Sequence, residues 1–182
     1  GQQRVLKESG FDDLYPDLEQ FCLDQQSIHG AANKRMIEAV RSNPHVSGFC
    51  IHALAAGDWI LGAGLIDLWR QPKSYAYEAT RAANQPRILS IRMSPRNVYA
   101  SRGSELAVVG VNEMTPLQAT LTVQVVSAAG ETVFSRETGV DWKEGISQLF
   151  AAKLDTRALR GGCTVKALVS ATDGSIVAEN TH

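Results

Sequence analysis

The sequence has few cysteines and no excess of charge of either sign, and each absence excludes a class of protein. Three of the 182 residues are cysteines, Cys22, Cys50 and Cys163, and they lie far apart. An odd number without a C-x-x-C pair predicts neither a disulfide framework nor a cysteine metal site. We expect structural roles for all three, with Cys50 and Cys163 buried in their apolar stretches. Lys and Arg number 18 against 19 Asp and Glu, a net charge of -1, which indicates neither a nucleic-acid nor a membrane partner.

Long hydrophobic runs are also missing. The most apolar stretch, residues 46–68, is interrupted by His52, Asp58, Asp67 and several glycines, so it cannot be a membrane span. The sequence begins without Met and without the apolar core of a signal peptide. We therefore expect either a processed N-terminus or a piece of a longer chain. Because 44% of the residues are apolar and 20% are charged, the chain should fold into a globular structure.

The first half of the chain predicts a helix, a buried strand and a second helix. A helix over residues 23–41 has one apolar stripe and ends at Asn43-Pro44. Its stripe consists of Ile28, Ala32, Met36, Ala39 and Val40. The nearly continuous apolar run 46–54 predicts a strand that is buried on both faces. A glycine-rich loop follows, and Ser74 is the predicted N-cap of a last helix over 75–84.

The second half predicts an immunoglobulin-like β-sandwich over residues 86–182. Turn-forming pairs such as Asp173-Gly174 separate short stretches, several of which alternate between apolar and polar residues. About seven strands in roughly one hundred residues is the size of such a sandwich. The predicted strands are residues 87–93, 105–111, 119–127, 131–137, 147–154, 164–171 and 175–178. The fold class is therefore α+β.

The predicted strand at 46–54 raises a physical problem. A strand buried on both faces needs neighbours in a sheet, and residues 1–85 contain no other obvious strand. We therefore expect its partner strands to lie upstream of Gly1.

Three stretches of the first half resemble one enzyme family. They are Gly48-Phe49-Cys50-Ile51-His52-Ala53-Leu54, the pair Asp58-Trp59, and the run from Gly64 to Tyr77 with its Arg70-Gln71-Pro72-Lys73 core. This pattern resembles the end of the catalytic (β/α)8 barrel of glycoside hydrolase family 2, which includes β-galactosidases, β-glucuronidases and β-mannosidases. The resemblance implies that residues 1–85 are the terminal segment of such a barrel. Residues 86–182 would then be the sandwich that commonly follows it.

The resemblance also implies a reaction and places its catalytic groups elsewhere. Enzymes of this family retain configuration when they hydrolyse the O-glycosidic bonds of β-D-glycosides, and they use two Glu residues. In the family both Glu residues lie upstream of the part that this chain matches, so we expect the isolated chain to hold no catalytic residue and to be inactive. We interpret Glu8, Asp12, Asp13 and Glu19 as solvated surface residues. The resemblance implies neither a cofactor nor a metal.

His52, Asp58 and Trp59 are the candidate substrate-binding residues. Active sites of such barrels lie in the loops that follow the strands, and these three residues would be there. His52 occupies a position where the family often has Trp. The alternatives are a core histidine for His52 and loop packing for Trp59. Trp69 and Tyr75 are interpreted as packing residues.

The residues also suggest two other functions. Gly57, Gly62 and Gly64 do not form the G-x-G-x-x-G spacing of a nucleotide site, so we discard that function. A non-catalytic carbohydrate- or protein-binding module remains the alternative, with Trp142, predicted to lie in a loop, as a possible stacking residue. An incomplete barrel should expose an apolar face and self-associate, whereas an evolved module should not.

Overall fold

Seven antiparallel strands in two sheets form most of the second half of the chain. In this computed structural model, residues 1–55, 64–99, 102–157 and 159–182 are described. The strands are β1 (Arg87–Ser94), β2 (Ser104–Asn112), β3 (Leu117–Ser127), β4 (Thr132–Trp142), β5 (Gly145–Leu154), β6 (Cys163–Ala171) and β7 (Ile176–Thr181). One sheet has the order β1-β2-β5 and the other the order β4-β3-β6-β7. Each predicted strand overlaps an observed one, and the predicted sandwich and α+β class are confirmed.

The core of the sandwich lies between the two sheets and follows the alternation of the sequence. In β3, Leu121 and Val123 are fully buried, whereas Thr120 and Thr122 on the opposite face are only half-buried. This is the pattern of a strand with one face on the core. Leu89, Val108 and Val169 from other strands complete the same cluster.

Trp142 belongs to this core and not to a loop. It is the last residue of β4 and is fully buried among the core residues. The prediction of an exposed stacking residue is wrong because β4 continues through Gly139 to Trp142, which places Trp142 on the same inward face as Val140.

The described part of the first half contains the α-helices α1 (Gln2–Glu8), α2 (Leu18–Arg41) and α3 (Ala76–Ala83), with a short 3-10 helix at Phe11–Asp13 between the first two. Helix α2 begins five residues before the predicted helix and ends where it was predicted. Helix α3 confirms the second predicted helix, but its N-cap is Tyr75, with a φ of 62°, and no side chain caps it. Ser74 is therefore not the cap. In the described part of the chain, no helix is long and apolar enough to cross a membrane.

The predicted strand at residues 46–54 does not form. Val46, Phe49 and Leu54 are exposed there, and the nearest pairing is an isolated parallel bridge between Ala55 and Ile66. A strand gains its hydrogen bonds from neighbours, and none of the described residues pairs with residues 46–54 in a sheet. For the same reason Cys50 is exposed instead of buried. Cys22 is exposed too, Cys163 is half-buried against the sandwich core, and all three are free.

The apolar stripe of α2 faces solvent. Ile28 and Met36 are each 59% exposed, and Ala32 and Ala39 are exposed as well. The buried positions are on the other side of the helix, at Gly30, Ile37 and Glu38. The helix is thus correctly predicted, but the face expected to be buried is open.

Contacts divide the chain into two compact units. The first contains residues 1–37 and 48–84, and the second contains residues 38–47 and 85–182. Within the second unit, Arg92 Nη2 donates to the carbonyl and the hydroxyl oxygen of Ser42, both at 2.9 Å. Arg41 donates to the carbonyl of Gln85 at 2.8 Å and pairs with Glu113 at 2.6 Å. The last turn of α2 is therefore attached to the sandwich.

Within the first unit, α2 and α3 meet at Gly30. A Cβ atom at this position would lie 2.8 Å from Ala76 Cα and 2.9 Å from Tyr75 Cδ1. Alanine normally gains about 1 kcal/mol over glycine inside a helix. We nevertheless expect Gly30→Ala to lower the free energy of unfolding by about 1–2 kcal/mol, because the backbone of α3 must move. Thermal melts followed by circular dichroism at the helical band measure this loss.

The matched control is Gly48→Ala. A Cβ atom at Gly48 would meet no other atom within 4 Å, so its melting temperature should stay within error of the parent. A Gly30→Ala chain that melts at or above the parent temperature would show that the two helices do not pack as described.

Candidate functional site

The loop between α2 and α3 carries the three candidate sugar-binding residues. His52 lies in a bend of this loop and its side chain is exposed, so it is not a core histidine. Asp58 and Trp59 lie outside the described residues, and their grouping with His52 stays a prediction. With the described residues His52 forms no hydrogen bond or ion pair.

Backbone hydrogen bonds hold together the two chain segments that flank residues 56–63. Leu65 N and Ile66 N both donate to the carbonyl of Leu54, at 2.7 and 3.0 Å. The bridge between Ala55 and Ile66 adds to this junction. These contacts place Leu54, two residues after His52, beside Leu65 and Ile66.

A tight turn centred on Asp67 follows this junction. Asp67 Oδ1 accepts hydrogen bonds from the backbone N–H groups of Trp69 and Gln71, each at 2.8 Å. Ile66 and Pro72 form an antiparallel bridge across the turn, in which Arg70 has a φ of 66°. The turn presents Trp69 with 79% of its surface exposed. The interpretation of Trp69 as a packing residue is therefore wrong for this chain.

Lys73 follows this turn, and its amine has a lowered pKa. Its side chain is mostly buried, and its N–H donates to the carbonyl of Leu65 at 2.9 Å. Burial lowers the pKa of Lys73 because desolvation disfavours the charged amine, and the Asp67 carboxylate offsets part of that shift. Through its backbone N–H, Lys73 links the end of the turn to Leu65 before its start.

The carboxylates near the N-terminus lie on the surface. Glu8, Asp12, Asp13 and Glu19 are all exposed, as predicted. Among the residues that the structure describes, no three His, Cys, Asp or Glu side chains are close enough together to hold a metal ion.

Sequence reasoning missed a cleft on the sandwich. Its lining comes from the end of β1, the start of β2 and the end of β5, and comprises Ser94, Pro95, Arg102, Gly103, Ser104, Glu105 and Lys153. The register of the strands brings these residues together, and no local sequence signal marks it.

Comparisons with known proteins give a fold and no family. No family profile and no curated protein matches this sequence. The structure resembles the β-D-mannosidase of Dictyoglomus thermophilum with a TM-score of 0.65 and 18% identity, over 86% of this chain and 18% of that one. It also resembles the exo-chitosanase CsxA of Amycolatopsis orientalis in complex with PNP-β-D-glucosamine, with a TM-score of 0.69 and 18% identity, over 91% of this chain and 19% of that one.

The matched region includes more of the chain than the sandwich alone. This chain spans about a fifth of the length of the two enzymes. At this level of identity the likeness concerns the fold. The likeness to a part of these two β-glycosidases extends over the helical segment and over the sandwich.

Proposed function

We propose that this chain is the C-terminal part of a retaining β-glycosidase of the glycoside hydrolase family 2 type. Residues 1–85 would form the terminal segment of its (β/α)8 barrel, and residues 86–182 the sandwich that follows. The whole protein would hydrolyse O-glycosidic bonds of β-D-glycosides with two Glu residues from the preceding part of the barrel. This chain would contribute the pocket wall and the sandwich but neither catalytic Glu.

The observation that carries this proposal is the exposed apolar stripe of α2. An amphipathic helix is stable in a protein because its apolar stripe is buried against another element. In this chain Ile28, Ala32, Met36 and Ala39 are instead exposed. The remainder of a barrel is the packing partner that the resemblance supplies for them.

The loop between α2 and α3 supports the same conclusion. Phe49, Leu54 and Leu68 are exposed there together with Trp69. Large apolar side chains concentrated in one segment indicate a surface that is covered in the complete protein. The run 46–54 reads as a buried strand in the sequence and stays open here, which fits a strand whose neighbours belong to the rest of a barrel.

In this proposal His52 and the segment with Asp58 and Trp59 form part of the sugar pocket. The imidazole of His52 can donate a hydrogen bond to a sugar hydroxyl or accept one from it. A carboxylate at Asp58 can accept one, and the ring of Trp59 can stack on a pyranose face. The names of the two matched enzymes make β-D-mannosides and β-D-glucosaminides the first substrates to assay.

We expect the 182-residue chain to bind the dye ANS and to self-associate. Replacing Ile28 and Met36 together by Lys should lower dye fluorescence severalfold and shift the chain toward monomer, because both side chains are exposed in the stripe. Sedimentation velocity and dye titration measure the two effects. The same chain should release no p-nitrophenol from aryl β-D-glycosides.

The matched control replaces Val133 and Ile176 together by Lys. These two residues are exposed apolar side chains of the sandwich, so this variant should keep the dye binding and the association of the parent. A parent chain that is monodisperse and silent with the dye would favour the alternative, a self-sufficient binding module. Release of p-nitrophenol above a blank would contradict the absence of the catalytic Glu residues.

A further inference from the structure

The cleft at the end of β1, β2 and β5 gathers charged and hydroxyl side chains that the proposed glycosidase pocket does not use. It has a volume of about 400 Å³, which lies within the range of small-molecule sites. All of its lining residues belong to the sandwich unit.

The strand register sets three polar side chains in one row. Ser94 lies directly opposite Glu105 across β1 and β2, and Glu105 lies directly opposite Lys153 across β2 and β5. Directly opposite residues of an antiparallel pair point to the same face, with Cβ atoms about 4.5–5.5 Å apart. All three are exposed. A hydroxyl, a carboxylate and an ammonium group therefore stand side by side on the open face of the sheet.

The charged side chains of this row have no ion-pair or hydrogen-bond partner within the described part of the chain. The Glu105 carboxylate and the Lys153 ammonium group form no ion pair or hydrogen bond there, although they are opposite each other. The Arg102 guanidinium group contacts the ring of Tyr99, at 5.8 Å from its centroid, and pairs with no described carboxylate. Two cations and one carboxylate give the cleft an excess positive charge, in a chain whose net charge is -1.

Hydrogen bonds fix the segments around the cleft before any ligand arrives. Thr156 Oγ1 accepts from Gly103 N at 3.1 Å and donates to the carbonyl of Tyr99 at 3.2 Å. Ser104 Oγ donates to the carbonyl of Pro95 at 2.9 Å. Gly103 has a φ of 68°, which a residue with a side chain rarely adopts. A preformed site loses less free energy to ordering when it binds a ligand.

We propose that this cleft binds an acidic saccharide. Its carboxylate would lie between Arg102 and Lys153, and its hydroxyl groups would donate to Glu105. A saccharide fits better than an acidic peptide, because each of its rings carries hydroxyl donors for the Glu105 carboxylate, whereas ionised Asp and Glu side chains carry none. The ring of Tyr99, 71% exposed and beside Arg102, offers a stacking face for a pyranose. The site requires neither His52 nor the catalytic Glu residues.

Isothermal titration of the 182-residue chain with trigalacturonate tests this proposal. We expect saturable binding that Arg102→Gln and Lys153→Gln each weaken at least about tenfold. Glu105→Ala should also weaken it, whereas Lys166→Gln, which changes an exposed lysine of β6, should leave it unchanged. Maltotriose, which lacks a carboxylate, and sodium acetate, which lacks a sugar, should give no saturable heat.

Three results would overturn the proposal: no saturable binding of trigalacturonate, equal binding of acetate or maltotriose, or binding that survives in the Arg102→Gln/Lys153→Gln double variant. All of these residues are exposed, so the variants should fold, and unchanged thermal melts verify it. The dye and turnover assays do not involve the residues of this cleft. A failure of the saccharide site is thus distinguishable from a failure of the proposed function.

Discussion

Gly110→Ala is expected to lower the free energy of unfolding of the sandwich by about 2–3 kcal/mol, although it adds a single methyl group. Gly110 lies on β2, the central strand of its sheet. A Cβ atom there would lie 2.6 Å from Leu149 Cδ1 and 2.6 Å from Trp142 Nε1. The leucine can change rotamer, but the indole ring is fully buried and cannot move without opening the core. Urea unfolding curves measure the loss.

Two further variants make this prediction specific. Gly139→Ala, on β4, places a Cβ atom where nothing lies within 4 Å, so its unfolding midpoint should match the parent. Trp142→Phe removes the Nε1 atom that meets the new methyl group, and this atom has no hydrogen-bond partner among the described residues. The double variant Gly110→Ala/Trp142→Phe should therefore be more stable than the sum of its single changes. Equal midpoints for Gly110→Ala and Gly139→Ala would contradict the described packing.

Asn112→Ala is expected to destabilise the sandwich by about 3 kcal/mol, because it removes four hydrogen bonds at a fully buried position, one of them to the buried carbonyl of Trp142. Asn112 is fully buried at the end of β2. Its Oδ1 accepts from Arg87 Nε and from Met114 N, both at 3.0 Å. Its Nδ2 donates to the carbonyls of Thr115 at 3.3 Å and Trp142 at 3.2 Å. One amide thus connects β1, β2, β4 and the turn after β2.

Asn97→Ala is the control for this change. Asn97 is exposed between β1 and β2, and its side chain makes no hydrogen bond with the described residues. Its free energy of unfolding should change by less than about 0.5 kcal/mol. If Asn112→Ala were as mild as Asn97→Ala, the four hydrogen bonds would contribute nothing, and the account of this corner would be wrong.

The sandwich was predictable because its signals are local. Alternation of Leu121 and Val123 with Thr120 and Thr122 requires only neighbouring residues, and pairs such as Asp173-Gly174 mark the ends of strands. The prediction of a loop at Trp142 was wrong because strand β4 continues through Gly139 and ends at Trp142 in the core. The role of Asn112 and the row of Ser94, Glu105 and Lys153 depend on pairing between distant strands, so no local pattern reveals them.

In the helical half, the sequence pattern predicts elements but does not identify their packing partners. The end of α2 followed from Asn43-Pro44, but its apolar stripe shows only that Ile28 and Met36 need a cover, not where the cover comes from. The same holds for residues 46–54, whose apolar run describes a strand that needs neighbours. The candidate pocket residues His52, Asp58 and Trp59 came from a family resemblance, because a lone imidazole, carboxylate or indole does not define a site by itself.

The most direct test of the central claim is to determine the DNA sequence upstream of the codon for Gly1 in its source gene. We expect an in-frame extension of several hundred codons that encodes barrel strands, an Asn-Glu pair and a second Glu, each after a strand. The apolar stripe of α2 would then have its packing partner in the same protein. A start codon directly before Gly1 would contradict the account, because a complete protein would leave Ile28 and Met36 without any cover of its own.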